Sequence, residues 1–234
     1  MKIEIWSDYV CPFCYIGKKQ LEQAIEKTGY KGQLQVEYKS YLLDPTTPVH
    51  AEESIYSALS RKYGISVQEA KNMTNNVADR AKEVGLEYNF DDMKTANTTA
   101  AHRLAKLAID EGKAEEYNER VLRAYFLEGE AIGLVEVLER LATEAGLTKQ
   151  RVQDVLNTDE YDESVEKDIY EAQQLGVRGV PFFVFNNKYG ISGAQPQSVF
   201  EQTIEQAASE AGLKKSLNIV GDAGAVCTDT ECEI

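Results

Sequence analysis

The sequence predicts a mixed α/β domain that is interrupted by an all-helical insertion. The first forty residues show a strand–helix–strand pattern, and the middle of the chain has helical periodicity almost throughout. A further helix, a strand, a hairpin partner and a final helix follow. Mixed strand and helix on both sides of a helical block suggest one α/β domain with a helical unit inserted into it.

The N-terminal elements are predicted from their apolar spacing. Residues 2–7 alternate as a strand, and a second strand is expected at residues 34–38. Between them, a helix should begin at Pro12 and stop at Gly29, because glycine is a common helix terminator. We expect Lys18 and the other charged residues of this helix on its outer, solvated face.

The domain boundaries follow from the change in periodicity. A loop with two prolines opens the helical block, which we place at residues 44–161. The α/β domain is then discontinuous and comprises residues 1–43 and 162–214. Its C-terminal part contains an apolar strand at residues 180–185, a hairpin partner at 188–192 and a last helix that starts at Pro196. Residues 215–234 form a separate tail.

Composition excludes several classes of function. The chain of 234 residues carries a formal net charge of −14, which repels phosphate backbones and anionic membranes. Nucleic acid and membrane partners are therefore not expected. The N-terminus lacks the basic start and long apolar run of a signal peptide, which predicts a cytoplasmic protein. The sequence leaves open whether the protein is a monomer or a dimer.

Four cysteines form two close pairs, Cys11 with Cys14 and Cys227 with Cys232. In a reducing compartment, paired thiols are more often catalytic, redox-sensing or metal-binding than structural. Cys11 and Cys14 lie at the start of the predicted helix, where residues three apart share one side of the first turn. Their Cα atoms should be about 5–6 Å apart, within the range of a disulfide.

Cys11 is the expected nucleophile of this pair. The free N–H groups and the positive end of the helix dipole favour its thiolate, but the dipole lowers a pKa by less than about one unit. A larger decrease requires hydrogen bonds to the sulfur from the Cys14 amide or thiol, and Asp8 should oppose it. We therefore expect a Cys11 pKa below the usual value of ~8.5, in the upper part of the reactive range.

A zinc site is the alternative role for these thiols. It would need two further ligands, and the chain offers only Cys227, Cys232, His50 and His102. The C-terminal cysteines are spaced more loosely than in usual zinc frameworks. No metal is therefore expected.

Four segments together resemble a known family. They are Trp-Ser-Asp-Tyr-Val-Cys-Pro-Phe-Cys-Tyr-Ile-Gly at 6–17, Asn-Thr-Thr-Ala-Ala-His-Arg-Leu at 97–104, Gly-Val-Arg-Gly-Val-Pro-Phe-Phe at 176–183 and Ile-Ser-Gly-Ala-Gln-Pro at 191–196. This set is similar to DsbA-like thioredoxin-fold oxidoreductases, and specifically to their cytosolic FrnE-like branch. The resemblance spans nearly the whole chain.

The resemblance implies a thioredoxin fold with a helical insertion and a redox-active Cys11-Cys14 pair. It also implies a cis bond between Val180 and Pro181, beside the cysteines. Such a turn would offer the backbone of Val180 to an extended substrate, and Phe13 between the two cysteines is expected to be exposed to apolar substrate segments. Some FrnE-like proteins have a second Cys-x4-Cys motif, which Cys227 and Cys232 resemble.

The function expected from these residues is thiol–disulfide exchange on protein or low-molecular-weight thiols and disulfides. It needs no cofactor, with glutathione as a candidate redox partner, and it could serve in oxidative stress. Cys227 and Cys232 could relay electrons to Cys11 and Cys14, or be unremarkable tail thiols.

Two other functions are open. The first is a glutathione-dependent isomerase or transferase related to 2-hydroxychromene-2-carboxylate isomerase. Those relatives typically have serine in place of Cys11. The second is a peptide-binding holdase with the cysteines as a switch.

Several other side chains have two interpretations each. By family likeness His102 lies near the active cleft, but a surface or interhelical histidine is an equal alternative. Tyr9 and Tyr15 either line the same cleft or pack elsewhere. Trp6 and Phe182 are expected in the core as strand residues.

Overall fold

Four strands form one mixed sheet in the computed structural model, which describes residues 1–49, 51 and 53–215. In chain order the strands are β1 (Lys2–Ser7), β2 (Gln35–Ser40), β3 (Phe182–Phe185) and β4 (Tyr189–Ser192). Their order across the sheet is β2-β1-β3-β4. The pair β1 and β2 is parallel, whereas β1 with β3 and β3 with β4 are antiparallel.

Nine helices complete the described part of the chain. They are α1 (Pro12–Thr28), α2 (Ile55–Tyr63), α3 (Val67–Lys82), α4 (Thr99–Asp110), α5 (Ala114–Phe126), α6 (Val135–Glu144), α7 (Lys149–Asn157), α8 (Asp162–Gln174) and α9 (Gln197–Glu210). The helix α1 is the crossover between the parallel strands β1 and β2, and α9 packs against it. The predicted mixed α/β class, a thioredoxin fold with a helical insertion, is confirmed. The domain boundaries remain a prediction.

One predicted strand begins later than expected. The apolar run from residue 180 was expected to be a strand throughout, but β3 starts at Phe182. Val180 and Pro181 precede it, because proline has no N–H to donate to a strand ladder. The two residues are therefore part of a loop, and their backbone groups are available for other contacts.

The start of α1 lies between two hydrophobic cores. Its later residues Leu21 and Ala24 pack with β1, β3 and α9 in one core, which includes the buried rings of Phe183 and Phe200. Its first turns contribute Tyr15 and Ile16 to the other core, which the helical block dominates. The N-terminus of α1 is thus fixed at the junction of sheet and helical block.

The expectation that Lys18 lies on the outer face of α1 is wrong. Its side chain is only 3% exposed, and its ammonium group pairs with Glu22 on the same helix. It also pairs with Glu115 at 2.6 Å and Glu119 at 2.7 Å, both on α5. Because α5 presents these carboxylates to α1, a face that looks solvated in the sequence is an ionic contact between the sheet domain and the helical block.

Among the described residues, no helix combines the length and the apolar character needed to cross a bilayer.

Candidate active site

Cys11 is the N-cap residue of α1, and Pro12 is the first residue of the helix. Proline is tolerated there because the N–H that it lacks would have no partner within the helix. The Cys11 N–H donates to the Asp8 carbonyl at 3.1 Å, and the Cys14 N–H donates to the Cys11 carbonyl at 3.0 Å. Both thiols are buried, with 5% exposure of Cys11 and 2% of Cys14.

The two thiols have pKa values displaced in opposite directions. A hydrogen bond from the Cys14 thiol is the largest influence on Cys11 and lowers its pKa, with help from the backbone N–H groups of Cys14 and Phe13. Burial and the nearby charge of Asp8 oppose this decrease but do not reverse it. Burial raises the pKa of Cys14 well above its usual value, and its hydrogen bond to Cys11 raises it further. The Cys14 thiol is therefore the largest cause of the lowered Cys11 pKa.

The loop of residues 176–181 before β3, called the proline loop below, contacts Cys11 directly. The Val180–Pro181 peptide bond is cis, as the family resemblance implied. The Cys11 thiol donates to the Val180 carbonyl oxygen at 3.4 Å. On the other side, the Gly193 N–H donates to the Pro181 carbonyl at 2.8 Å. Val180 is half-buried and Pro181 is buried.

Gly17 allows this loop to approach α1. A Cβ atom added at Gly17 would lie 3.0 Å from Cζ of Phe183 and 3.1 Å from Cγ of Pro181. Any larger residue would therefore push the helix away from the proline loop. Gly17 belongs to the segment that carried the family resemblance, but the sequence alone gave no reason for its role.

Phe13 is half-buried, so the expectation of an exposed ring is only partly met. The ring packs against the core of the helical block, and the guanidinium carbon of Arg80 on α3 lies 5.0 Å from its centroid. This distance is within the range of a cation–π interaction. Arg80 also donates to the Ala194 carbonyl at 3.2 Å. The sequence did not indicate that α3 places a cation beside the dithiol.

Tyr88 is a second residue of the site that the sequence did not indicate. Its hydroxyl donates to the Pro12 carbonyl at 2.7 Å, and its ring stacks on Phe126 at 4.8 Å. Burial raises the pKa of Tyr88, and negative charge at Cys11 raises it further. Because this phenol stays protonated, it remains a hydrogen-bond donor to the first turn of α1.

Asp8 connects the segment before Cys11 to the helical block. Its carboxylate is 1% exposed and accepts from the Leu43 N–H at 2.8 Å and from the Thr98 hydroxyl at 2.7 Å. Nε2 of His102 lies 3.2 Å from the same carboxylate. His102 is buried on α4 and contacts the segment that leads to Cys11, so it is not a surface histidine.

The remaining aromatic residues are mostly packed in the interior. Tyr9 and Tyr15 are buried, and their hydroxyls donate to Asn118 and Glu119 respectively, at 2.7 Å each. Trp6 is buried as expected. Phe182 is only half-buried, because it occupies the first position of β3.

Of the residues considered for the second redox pair and as further zinc ligands, His102 alone lies within the described residues. Cys227, Cys232 and His50 lie outside the described residues. His102 faces Asp8. One cluster of carboxylates in the described part of the chain has the spacing for a cation, namely Glu22, Glu115 and Glu119. The Lys18 ammonium group contacts all three, so this cluster already has its counter-ion.

Comparison with known proteins identifies relatives over nearly the whole chain. Similar proteins include YwbO of Bacillus subtilis, described as uncharacterized, which is 30% identical over 86% of this chain and 94% of its own. The crystal structure of a probable DsbA oxidoreductase from Streptomyces coelicolor is 34% identical, covers 100% of this chain and 99% of its own, and superimposes with a TM-score of 0.85.

A more distant likeness extends to the cytosolic disulfide reductase DsbM from Pseudomonas aeruginosa, solved with GSH. It is 16% identical, covers 91% of this chain and 98% of its own, and has a TM-score of 0.61. At this identity the likeness shows the fold alone. The family model of the DSBA-like thioredoxin domain matches residues 2–205. The chain therefore belongs to the DSBA-like thioredoxin domain family.

Proposed function

We propose that this protein is a thiol–disulfide oxidoreductase that works through Cys11 and Cys14. One observation carries the proposal: the Cys14 thiol donates a hydrogen bond that lowers the pKa of Cys11, while the pKa of Cys14 itself is raised. An attacking thiol must be available as thiolate, and a resolving thiol must stay protonated until a mixed disulfide forms. The opposite shifts assign these roles to Cys11 and Cys14 respectively.

The reaction follows from these roles. The Cys11 thiolate attacks one sulfur of a substrate disulfide, so that a Cys11–substrate disulfide forms and one substrate thiolate leaves. Cys14 then loses its proton and attacks the Cys11 sulfur, which closes the Cys11–Cys14 bond and releases the second substrate thiolate. Two electrons pass from the dithiol to the substrate, and the reverse sequence oxidises a substrate dithiol.

The proline loop is the proposed binding surface for the substrate chain. The Val180 carbonyl lies next to the Cys11 sulfur, and a thiolate has no proton to donate to it. Ionisation of Cys11 therefore frees this carbonyl for an N–H group of an extended substrate. The half-buried ring of Phe13 adds apolar surface beside it. Protein disulfides and low-molecular-weight disulfides are both candidate substrates.

Cys227 and Cys232 are proposed as a second redox pair. Together with this pair, we propose that the protein belongs to the FrnE-like branch. The proposal rests on their spacing in the sequence, since both lie outside the described residues. Glutathione is the proposed redox partner, and the cytoplasm the proposed location. A related fold named as a cytosolic disulfide reductase and solved with GSH is consistent with both.

The test is a glutathione redox titration with alkylation and mass spectrometry that reads each cysteine pair separately. We expect Cys11 and Cys14 to close to a disulfide with a potential between about −120 and −270 mV. Cys14→Ser should instead accumulate glutathione on Cys11, and Cys11→Ser should abolish turnover. If wild-type Cys11 only collects glutathione and never forms the internal bond, the glutathione-dependent isomerase or transferase becomes the better assignment.

A further inference from the structure

Two arginines differ from all others in the described part of this acidic protein. The chain has eight arginines, and six of them pair with carboxylates: Arg61, Arg103, Arg120, Arg123, Arg140 and Arg151. Within the described residues, Arg80 and Arg178 have no carboxylate oxygen within 4.0 Å of their nitrogens. Both side chains are exposed. An arginine without a carboxylate partner is unexpected on a surface of net charge −14.

Arg80 is held at the edge of the dithiol site. Its guanidinium lies over the Phe13 ring, and one of its nitrogens donates to the Ala194 carbonyl. Ala194 follows Gly193, whose N–H donates to Pro181 in the loop that contacts Cys11. A guanidinium group has five N–H donors, so most of them remain available to a ligand.

Arg178 lies in the proline loop itself, two residues before the carbonyl that accepts from Cys11. It lines a cavity of about 470 Å³ together with Val180 and Gly193. The residues on either side of it in this loop include Gly176 and Gly179, which leave the backbone open to a ligand. Arg80 and Arg178 therefore both border the surface onto which a substrate of Cys11 would bind.

The two charges change the local electrostatics of this surface. An excess of carboxylates elsewhere repels acidic substrates, whereas exposed guanidinium groups attract them and bind carboxylates through paired hydrogen bonds. We propose that Arg80 and Arg178 select disulfide substrates that carry carboxylates next to the reacting cysteine. This inference rests on the proposed function, because it names the substrate class of the same dithiol.

The test compares matched substrates with the reduced, full-length protein. The substrates are disulfide dimers of end-blocked Glu-Cys-Glu and Gln-Cys-Gln, together with glutathione disulfide. Each is mixed with the dithiol protein under single-turnover conditions, so that the protein itself is the reductant. The readout is the saturating rate of protein oxidation (kcat) and the half-saturating substrate concentration (KM). The variants are Arg80→Gln, Arg178→Gln and the double variant. Arg151→Gln is the control for the two single variants, since it removes the same single charge from an arginine that pairs with Glu160 on another part of the surface.

We expect the double variant to lose about three- to tenfold in kcat/KM for the Glu-Cys-Glu dimer, mainly through KM, and less than about twofold for the Gln-Cys-Gln dimer. Added salt should lower the wild-type rate with the acidic dimer selectively, which tests the inference even if a variant folds poorly. A loss with glutathione disulfide as well as with the Glu-Cys-Glu dimer would show that the carboxylates of a small thiol are also selected. A loss with the Glu-Cys-Glu dimer alone would restrict the selection to carboxylates next to a cysteine in a peptide chain.

Two results would overturn the inference. The first is a Glu-to-Gln substrate ratio that stays the same in the double variant and at high salt. The second is a loss in Arg151→Gln equal to that in each single variant, because net charge alone would then explain it. In both cases, continued turnover of the Gln-Cys-Gln dimer would leave the proposed function intact. If the wild type turned over none of the three disulfides, the proposed function itself would fail.

Discussion

The Cys11 thiol donates a hydrogen bond of 3.4 Å to the carbonyl oxygen of Val180, a residue 169 positions away in the chain. This contact joins the first turn of α1 to the loop before β3. It also couples the protonation of Cys11 to the backbone group proposed to bind substrate, because only the neutral thiol can donate.

Replacing Cys14 should change the ionisation of Cys11. The hydrogen bond from the Cys14 thiol is the largest cause of the lowered Cys11 pKa, so Cys14→Ala should raise that pKa. Cys14→Ser keeps an O–H donor at the same position and should raise it less. The pH dependence of alkylation of the Cys11 peptide, followed by mass spectrometry, separates this thiol from the others. Equal pKa values in both variants and the wild type would contradict the assigned cause.

Asp8 should act on Cys11 in the opposite direction. Its negative charge raises the pKa of Cys11, so Asp8→Asn should lower that pKa in the same alkylation experiment. The asparagine oxygen can accept from the Leu43 N–H, and the asparagine amide N–H can donate to the Thr98 hydroxyl oxygen, which limits the structural cost. Asp8→Ala would leave these buried donors unpaired, at about 1–3 kcal/mol for each group. A higher Cys11 pKa in Asp8→Asn would refute this role.

Gly17→Ala should destabilise the protein despite the higher helix propensity of alanine. The propensity gain is about 1 kcal/mol, whereas overpacking a filled core costs about 1–3 kcal/mol. The second effect should prevail, because the atoms that the new Cβ would meet belong to the buried residues Pro181 and Phe183. Urea unfolding should show a net loss, and kcat/KM should fall because the proline loop is displaced.

The matched control for this change is Gly179→Ala, in the proline loop that Gly17 contacts. A Cβ added there would meet no atom within 4 Å, so the free energy of unfolding should change by less than about 0.5 kcal/mol. If both variants lost stability equally, the close approach at Gly17 would not be the cause.

The Lys18 cluster should make stability depend on acid pH. Burial raises the pKa of Glu119, but the ion pair and hydrogen bond with Lys18 outweigh it and lower the pKa to about 2. A carboxyl with a depressed pKa stabilises the fold above its unfolded value of about 4.3, and this contribution disappears as the pH falls towards 2. Glu119→Gln should therefore flatten the pH dependence of unfolding in this window.

Glu26→Gln is the comparison for the acid-unfolding experiment. Glu26 is 67% exposed and pairs with Lys31, which is 73% exposed, so solvent screens this interaction. Its removal should leave the acid limb of the stability curve nearly unchanged. A similar effect of both substitutions would show that the buried ammonium group of Lys18 has no special role.

The sequence by itself determined the elements that depend on local spacing. Alternation predicted β1, apolar periodicity with Gly29 predicted α1, and the Cys-x-x-Cys spacing placed both thiols on one turn. These features depend on contacts within a few residues, which the order of side chains fixes directly. The family resemblance added the fold and the cis bond before Pro181.

Tertiary structure decided the features that need partners distant in the chain. Lys18 is buried because α5 brings Glu115 and Glu119 to it, and Arg80 reaches Phe13 only because α3 packs beside the start of α1. The hydrogen bond from Tyr88 to Pro12 likewise joins segments 76 residues apart. No local pattern encodes such pairs, because the energy that fixes them comes from the packing of one element on another.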